Sequence, residues 1–278
     1  MSGRTAVIYQ AGERVVAVDP ADRGLAYGDG LFETMRAHRG ELPWWDAHWA
    51  RLALGAARLN LPLPDPEQVL DGARMLLDGD DGVFKLLLTR GAGGRGYAPP
   101  TPAVPTLVLS RHPLPPPAPE PGLNVRWCEI RLSLQPRLAG LKHCNRLEQV
   151  LARAEWSDPG VHEGLLRSVE GDAVGATAAN LFVLREGRWR TPAVDRCGVA
   201  GVCRGWVLDA LDVLETRLDV TDVETADAVF LCNAVRGILP VARLGTRHWA
   251  DATPGHRQVT DLQARLAAAH PAFAMENL

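Results

Sequence analysis

Two lysines, Lys85 and Lys142, stand among 30 lysine and arginine residues. A guanidinium carries charge as well as an ammonium does but stays protonated; only the amine of lysine can shed its proton, attack a carbonyl and form an imine. Lys142 lies in Leu141-Lys142-His143-Cys144-Asn145-Arg146-Leu147-Glu148, between a glycine-bounded loop and an amphipathic stretch, and is the candidate for that chemistry. Scarcity also has a plainer reading, a coding bias toward arginine that two lysines escaped.

An anion could bind near Gly198-Val199-Ala200-Gly201-Val202-Cys203-Arg204, where glycine and small residues precede a helical pattern. Free backbone N–H groups and the positive dipole end meet at such a helix start. Asn233-Ala234-Val235-Arg236-Gly237 follows an apolar run and offers a second turn for the same anion. Each is also consistent with an ordinary connection.

Other chemistries find less support. Five cysteines, an odd number without a C-x-x-C pair, read as packing thiols in a reducing compartment. Eight histidines form no H-E-x-x-H, and His143-Cys144 are adjacent rather than at ligand spacing, so no metal site is expected. A net charge of −3, with arginines scattered among acids, argues against nucleic acid or an anionic membrane and for a small-molecule substrate. The N-terminus, Met1 to Tyr9, has no long apolar core, and no stretch approaches the ~18 apolar residues of a membrane span, so a cytoplasmic location is expected.

The elements that must carry these residues fall into two blocks. The run His112-Pro113-Leu114-Pro115-Pro116-Pro117-Ala118-Pro119-Glu120-Pro121-Gly122 resists helix and sheet and reads as a linker, 112–122. It separates an α+β domain, 1–111, from a larger one, 123–278. In the first, Ala6 to Tyr9, Val15 to Val18, Val83 to Thr89 and Thr106 to Ser110 read as strands, and Leu31 to Ala37 and Glu41 to Trp45 as a hairpin about His38-Arg39-Gly40. Asp46 offers the cap of a helix that ends at Asn60, and Asp65-Pro66 announces a second. In the second domain the pattern predicts strands near Leu123 to Ile130, Gly164 to Arg167, Asn180 to Leu184, Arg188 to Thr191 and Ala228 to Cys232. Helices are predicted over Asn145 to Trp156, Val202 to Val213 and Gln258 to Ala269.

Taken together, six segments in order resemble the fold-type IV pyridoxal-phosphate enzymes, nearest to their 4-amino-4-deoxychorismate lyase branch. They are Asp22 to Thr34, His48 to Leu52, Arg90 to Tyr97, Leu141 to Gln149, Ala178 to Phe182 and Gly201 to Arg204. The resemblance implies a two-domain α+β architecture, a homodimer, and pyridoxal 5'-phosphate attached to Lys142. It also implies that Arg51 and the turns at Val202-Cys203 and Asn233-Ala234 hold the cofactor's phosphate, a role that suits a guanidinium fork and helix-start amides.

One position departs from the family. A glutamate that pairs with the cofactor's ring nitrogen usually stands a few residues before Ala178-Ala179-Asn180-Leu181-Phe182, and the matching residue is Gly175. Asp172 or Glu170 could substitute, water could fill the gap, or the cofactor could be held weakly. Losing this acid harms amine transfer more than an elimination that ends in an aromatic ring. The arginine–histidine carboxylate trap of the D-amino acid transaminases is incomplete in Arg95-Gly96-Tyr97, and Phe32 replaces a usual tyrosine. Arg90, Arg95, Tyr97 and Phe32 are therefore expected to contact the carboxylates and ring of an aminodeoxychorismate, with aminotransferase activity or a cofactor-poor binding protein as alternatives.

Overall fold

In the computed structural model of the chain, which describes residues 5–249 and 253–274, Leu31, Glu33, Met35 and Ala37 are buried while Phe32, Thr34 and Arg36 are half-buried. That alternation is a strand with one covered face. It belongs to the first of two units, Met1–Pro115 with Leu141–Asn145; the second is Pro116–Gly140 with Arg146–Leu278. Residues 1–4 of the N-terminal stretch read above lie outside the described residues.

The first unit holds β1 (Ala6–Gln10), β2 (Glu13–Val15), β3 (Gly30–Ala37), β4 (Gly82–Thr89) and β5 (Thr106–His112), with helices α1 (Arg23–Tyr27), α2 (Trp45–Leu59) and α3 (Pro66–Leu77). The strands form an antiparallel sheet in the order β2-β1-β5-β4-β3. Its core joins Leu31, Met35, Phe84, Leu86 and Leu109 of the sheet to Leu52, Ala56, Val69 and Leu76 of α2 and α3. Close approach depends on two helical glycines: a Cβ at Gly55 would stand 2.9 Å from Leu31 Cδ1, and one at Gly72 2.3 Å from Leu109 Cδ1.

Local signals here are partly obeyed. Asp65 caps α3 by accepting from Glu67 N, with Pro66 at the helix start, as the sequence predicts. The hairpin expectation is corrected: Arg39 and Gly40 do turn the chain with positive φ, but only His38 and Glu41 bridge, because Trp45 already opens α2. Asp46 sits in the first turn of α2, behind Trp44 at the cap position. The strand expected from Val15 to Val18 is β2, Glu13–Val15.

The second unit contains β6 (Leu123–Leu132), α4 (Leu147–Arg153), β7 (Glu163–Ser168), β8 (Ala173–Ala176), β9 (Asn180–Arg185), β10 (Arg188–Pro192), α5 (Val202–Ala210), β11 (Val213–Thr216), α6 (Val220–Glu224), β12 (Ala228–Asn233), β13 (Gly237–Leu244), β14 (Arg247–His248) and α7 (Pro254–Ala269). The sheet runs β11-β10-β9-β12-β13-β6-β7-β8, with β14 added to β13. β6 pairs parallel with both β13 and β7, and β10 with β11; the other pairs are antiparallel.

Two helices are shorter than their patterns suggest. The one expected over Asn145 to Trp156 spans Leu147–Arg153, since Leu141–Asn145 belongs to the first unit. The one expected to reach Val213 ends at Ala210, because Val213 starts β11 beside Trp189 of β10. No helix among the described residues is long and apolar enough to cross a membrane.

Candidate active site

Lys142 is delivered by an extra strand-like segment of the first unit. Phe32 N donates to Lys142 O at 3.0 Å, Leu31 bridges His143, and Cys144 N donates to Gly30 O at 2.9 Å. Asn145 closes the segment by donating from Nδ2 to Gly28 O at 3.1 Å. Gly28 has φ of 64°, and a Cβ there would lie 2.8 Å from Asn145 Oδ1, so glycine is required on both counts. This pairing fixes the Lys142 backbone on β3 and brings its Nζ to 4.3 Å from the centroid of the Phe32 ring.

Behind Phe32, on the covered face of β3, Glu33 meets α2. Residues three apart on a helix share a face, and His48 and Arg51 both reach Glu33 in this way. Arg51 donates from Nε to Oε1 at 2.8 Å and from a terminal nitrogen to Oε2, while His48 Nδ1 lies 2.6 Å from Oε2. Burial alone would raise the Glu33 carboxyl. The His48 hydrogen bond and the adjacent Arg51 outweigh it and hold the group at about 2. A carboxylate only accepts, so His48 carries its proton on Nδ1. Burial keeps that imidazole below its ordinary value, Glu33 opposes, and the charges of Arg51 and Lys142 add to the lowering.

The two turns expected to hold an anion both lie in the second unit. α5 begins after Gly201, with no side chain capping its first N–H groups. A Cβ at Gly201 would stand 2.1 Å from Asn180 Oδ1, and Asn180 Nδ2 donates to Val199 O at 2.8 Å, so the loop lies tight against β9. Asn180 pairs with Cys232, and the buried Cys232 thiol hydrogen-bonds that of Cys203. The start of α5 and the turn after β12 are thereby neighbours. Asn233 shapes that turn by accepting from Val235 N and Arg236 N on Oδ1 and donating to Ala178 O. Val202 and Cys203 at the start of α5 and Asn233 and Ala234 in the turn after β12 therefore lie on adjoining elements of the second unit.

The expected substrate residues separate. Arg95 and Tyr97 lie on an exposed loop held by Arg23, whose terminal nitrogens donate to the carbonyls of Gly96, Tyr97 and Ala98. Arg90, expected to contact the substrate, is anchored within the first unit. Its guanidinium makes four hydrogen bonds, two to Asp29 and one each to Leu59 O and Asn60 O. It also forms the charged part of the wall of a cavity of about 360 Å3 lined by Ala56, Ala57 and Pro99 to Pro102. Of the two acids that could replace the missing glutamate, Glu170 is bound by both terminal nitrogens of Arg196 at the surface, and Asp172 is half-buried just before β8; Gly175 itself is buried in β8 opposite Leu166.

Sequence spacing alone gave Glu33, His48, Arg23 and Asn180 no role. The usable signal was a lone acid, Glu33, at a core position of β3, which demands a cationic partner when buried. Among the described residues no group of three or more His, Cys, Asp or Glu side chains is placed to hold a metal.

This geometry has known counterparts. Residues 30–244 match the family described as amino-transferase class IV. The chain belongs to that family. An aminodeoxychorismate lyase of Vibrio harveyi is 38% identical over 230 residues, covering 80% of this chain and 85% of that protein. The crystal structure of 4-amino-4-deoxychorismate lyase from Pseudomonas aeruginosa superimposes with a TM-score of 0.86 at 41% identity, over 94% of this chain and 98% of that one. A putative branched-chain-amino-acid aminotransferase of Methanocaldococcus jannaschii is 30% identical over 245 residues, covering 84% and 85%.

Proposed function

We propose that this class IV protein catalyses the 4-amino-4-deoxychorismate lyase reaction, releasing pyruvate and leaving 4-aminobenzoate for folate synthesis. The observation that carries this reading is near full-length similarity at 41% identity to an enzyme of that name, combined with a lysine amine held over Phe32.

Pyridoxal 5'-phosphate, when bound, supplies an aldehyde for an amine and a ring that takes up electron density. The residues fit it at two ends: Lys142 for the aldehyde, and Arg51 with the turns at Val202-Cys203 and Asn233-Ala234 for the phosphate. At Gly175 the chain offers no carboxylate for the ring nitrogen. The free amine of Lys142 would take the proton from the substrate's amine-bearing carbon. Loss of the enolpyruvyl group as pyruvate then balances the reaction, and aromatisation of the substrate ring supplies driving force that amine transfer lacks. Glu33 and His48 hold Arg51 in place, and Arg95, Tyr97 and Phe32 face the substrate.

A cytoplasmic homodimer fits the surface. Leu147, Val150 and Leu151 form an exposed apolar stripe on α4 at i, i+3 and i+4 spacing, which a second copy would cover, and the five cysteines are all thiols. Light scattering of the protein and of Leu151→Glu tests the pairing.

The deciding assay supplies 4-amino-4-deoxychorismate and follows 4-aminobenzoate and pyruvate, with Lys142→Ala as the control. Equal product with and without Lys142 would remove its assigned role. Turnover of D- or branched-chain amino acids with 2-oxo acids, and no 4-aminobenzoate, would replace the lyase reading with amine transfer.

A further inference from the structure

The amine of Lys142 lies over an aromatic face. Its Nζ stands 4.3 Å from the centroid of the Phe32 ring, inside the roughly 6 Å over which a cation is drawn to the negative face of an aromatic ring. The backbone builds this contact: Phe32 N donates to Lys142 O at 3.0 Å and Leu31 bridges His143, so lysine and ring sit at one level of β3. Leu87 of β4 pairs with Phe32 and, like it, is half-buried.

Charges in the first unit press the other way. Lys85 of β4 reaches the same ring at 5.6 Å, and Arg51 of α2 meets Glu33 on the opposite, covered face of β3. His48 of α2, beside that pair, feels the charges of both Arg51 and Lys142 and is held toward its neutral form by burial. A cation at Lys142 therefore has like charges for company, and the face of Phe32 offsets them.

We propose that Phe32 is a positioning residue that sets the base strength of Lys142, its ring face stabilising the ammonium formed when the amine takes a proton from carbon. This rests on the reading of Lys142 as the base of the lyase reaction. The amine's lone pair forms the third N–H bond, and the electron pair of the broken C–H bond stays with the substrate. Magnitude favours a ring for this task. A ring moves the protonation of a lysine by roughly half a unit to one and a half units. A carboxylate in its place moves it by about 1 to 3 units and leaves less free amine for the next turnover at neutral pH. A ring, unlike a carboxylate, also cannot take the proton itself.

The test changes the charge of the ring face while keeping its shape. Phe32→4-fluorophenylalanine and Phe32→3,4,5-trifluorophenylalanine withdraw electron density from the face in steps, and Phe32→Leu removes it. In the full chain without added cofactor, acetylation of Lys142 by acetic anhydride is followed against pH by mass spectrometry; with two lysines in the sequence each is read separately. The pH midpoint for Lys142 is expected to fall stepwise with fluorination, by about half a unit to one and a half units in the trifluoro variant. With pyridoxal 5'-phosphate and 4-amino-4-deoxychorismate supplied, the acid limb of kcat should move down by a similar amount. Midpoints that stay level across the fluorinated series, or that move only in Phe32→Leu, would overturn the assignment, since the ring would then act through its bulk. A wild type that makes no 4-aminobenzoate would defeat the lyase reading instead, and the labelling midpoints would still decide whether ring and amine interact.

Discussion

Arg51 holds Glu33 at two points, Nε to Oε1 at 2.8 Å and a terminal nitrogen to Oε2, and the carboxylate is 1% exposed. Neither charge is tolerable there without the other. Glu33→Gln leaves the Arg51 cation without its counter-charge, and breaking a buried pair from one side costs about 3 to 5 kcal/mol. Urea unfolding at pH 7 should show a loss of that order. The sign with pH follows from the depressed carboxyl. Its stabilisation is complete above the ordinary value of 4.5 and is lost as pH falls toward about 2. The variant should therefore show a flatter acid limb below pH 4.5; an identical limb would mean that Glu33 is not the group being protonated.

His48 adds an earlier step in the same direction. Burial depresses its imidazole below 6.5, so the unfolded chain takes up a proton that the folded chain refuses. Stability from this source is present above pH 6.5 and declines as pH drops below it. His48→Asn keeps a donor near Glu33 but cannot titrate. Melting temperatures at pH 7, 6 and 5 should fall for the wild type and fall less for the variant, and equal slopes would assign the decline to another group.

How far these features are written in the sequence differs by residue. Helix α3 is announced by Asp65 and Pro66, because a cap and a fixed φ act within one turn. The anion cup is partly announced: Gly201 before an apolar helix is visible locally, whereas its link to Asn233 runs through Asn180 and the Cys203–Cys232 contact, which are far apart in sequence. Nothing local says that residues 142–144 leave the second half of the chain to pair with β3, and this pairing shortens the helix that the pattern starts at Asn145. At Arg90 it is the partner that the sequence hides. A conspicuous arginine beside a glycine-rich loop suggests a ligand, and the acid that claims it, Asp29, lies in a distant segment.

Arg23 carries the loop on which Arg95 and Tyr97 ride. Its side chain is 5% exposed, its Nε donates to Asp29 Oδ2 at 2.9 Å, and its terminal nitrogens reach three successive carbonyls, with Tyr27 stacked over the guanidinium at 4.8 Å. Arg23→Met keeps the bulk and removes every one of these donors. Loss of even two charged hydrogen bonds should free the loop enough for trypsin to cut after Arg95 roughly tenfold faster or more. The KM for the substrate should rise with it. Unchanged cleavage would mean that the loop holds its shape without Arg23.

Gly175 sets up the sharpest contrast between elimination and amine transfer. A Cβ built there would stand 3.0 Å from Ala179 O, so a side chain requires the turn between β8 and β9 to yield by a few tenths of an ångström. Such overpacking costs on the order of 1 kcal/mol, which the fold should survive. Gly175→Glu then places a carboxylate where the family resemblance expects an acid for a cofactor's ring nitrogen. A nearby negative charge favours the protonated nitrogen and so strengthens the ring as an acceptor of electrons. With pyridoxal 5'-phosphate supplied, the variant is expected to shift the pH titration of the cofactor's visible band upward and to raise amine transfer from amino acids to 2-oxo acids. 4-Aminobenzoate formation should change little, because the aromatising ring already drives it. If the variant binds cofactor like the wild type and neither the titration nor amine transfer moves, the missing acid is not what separates the two reactions in this chain.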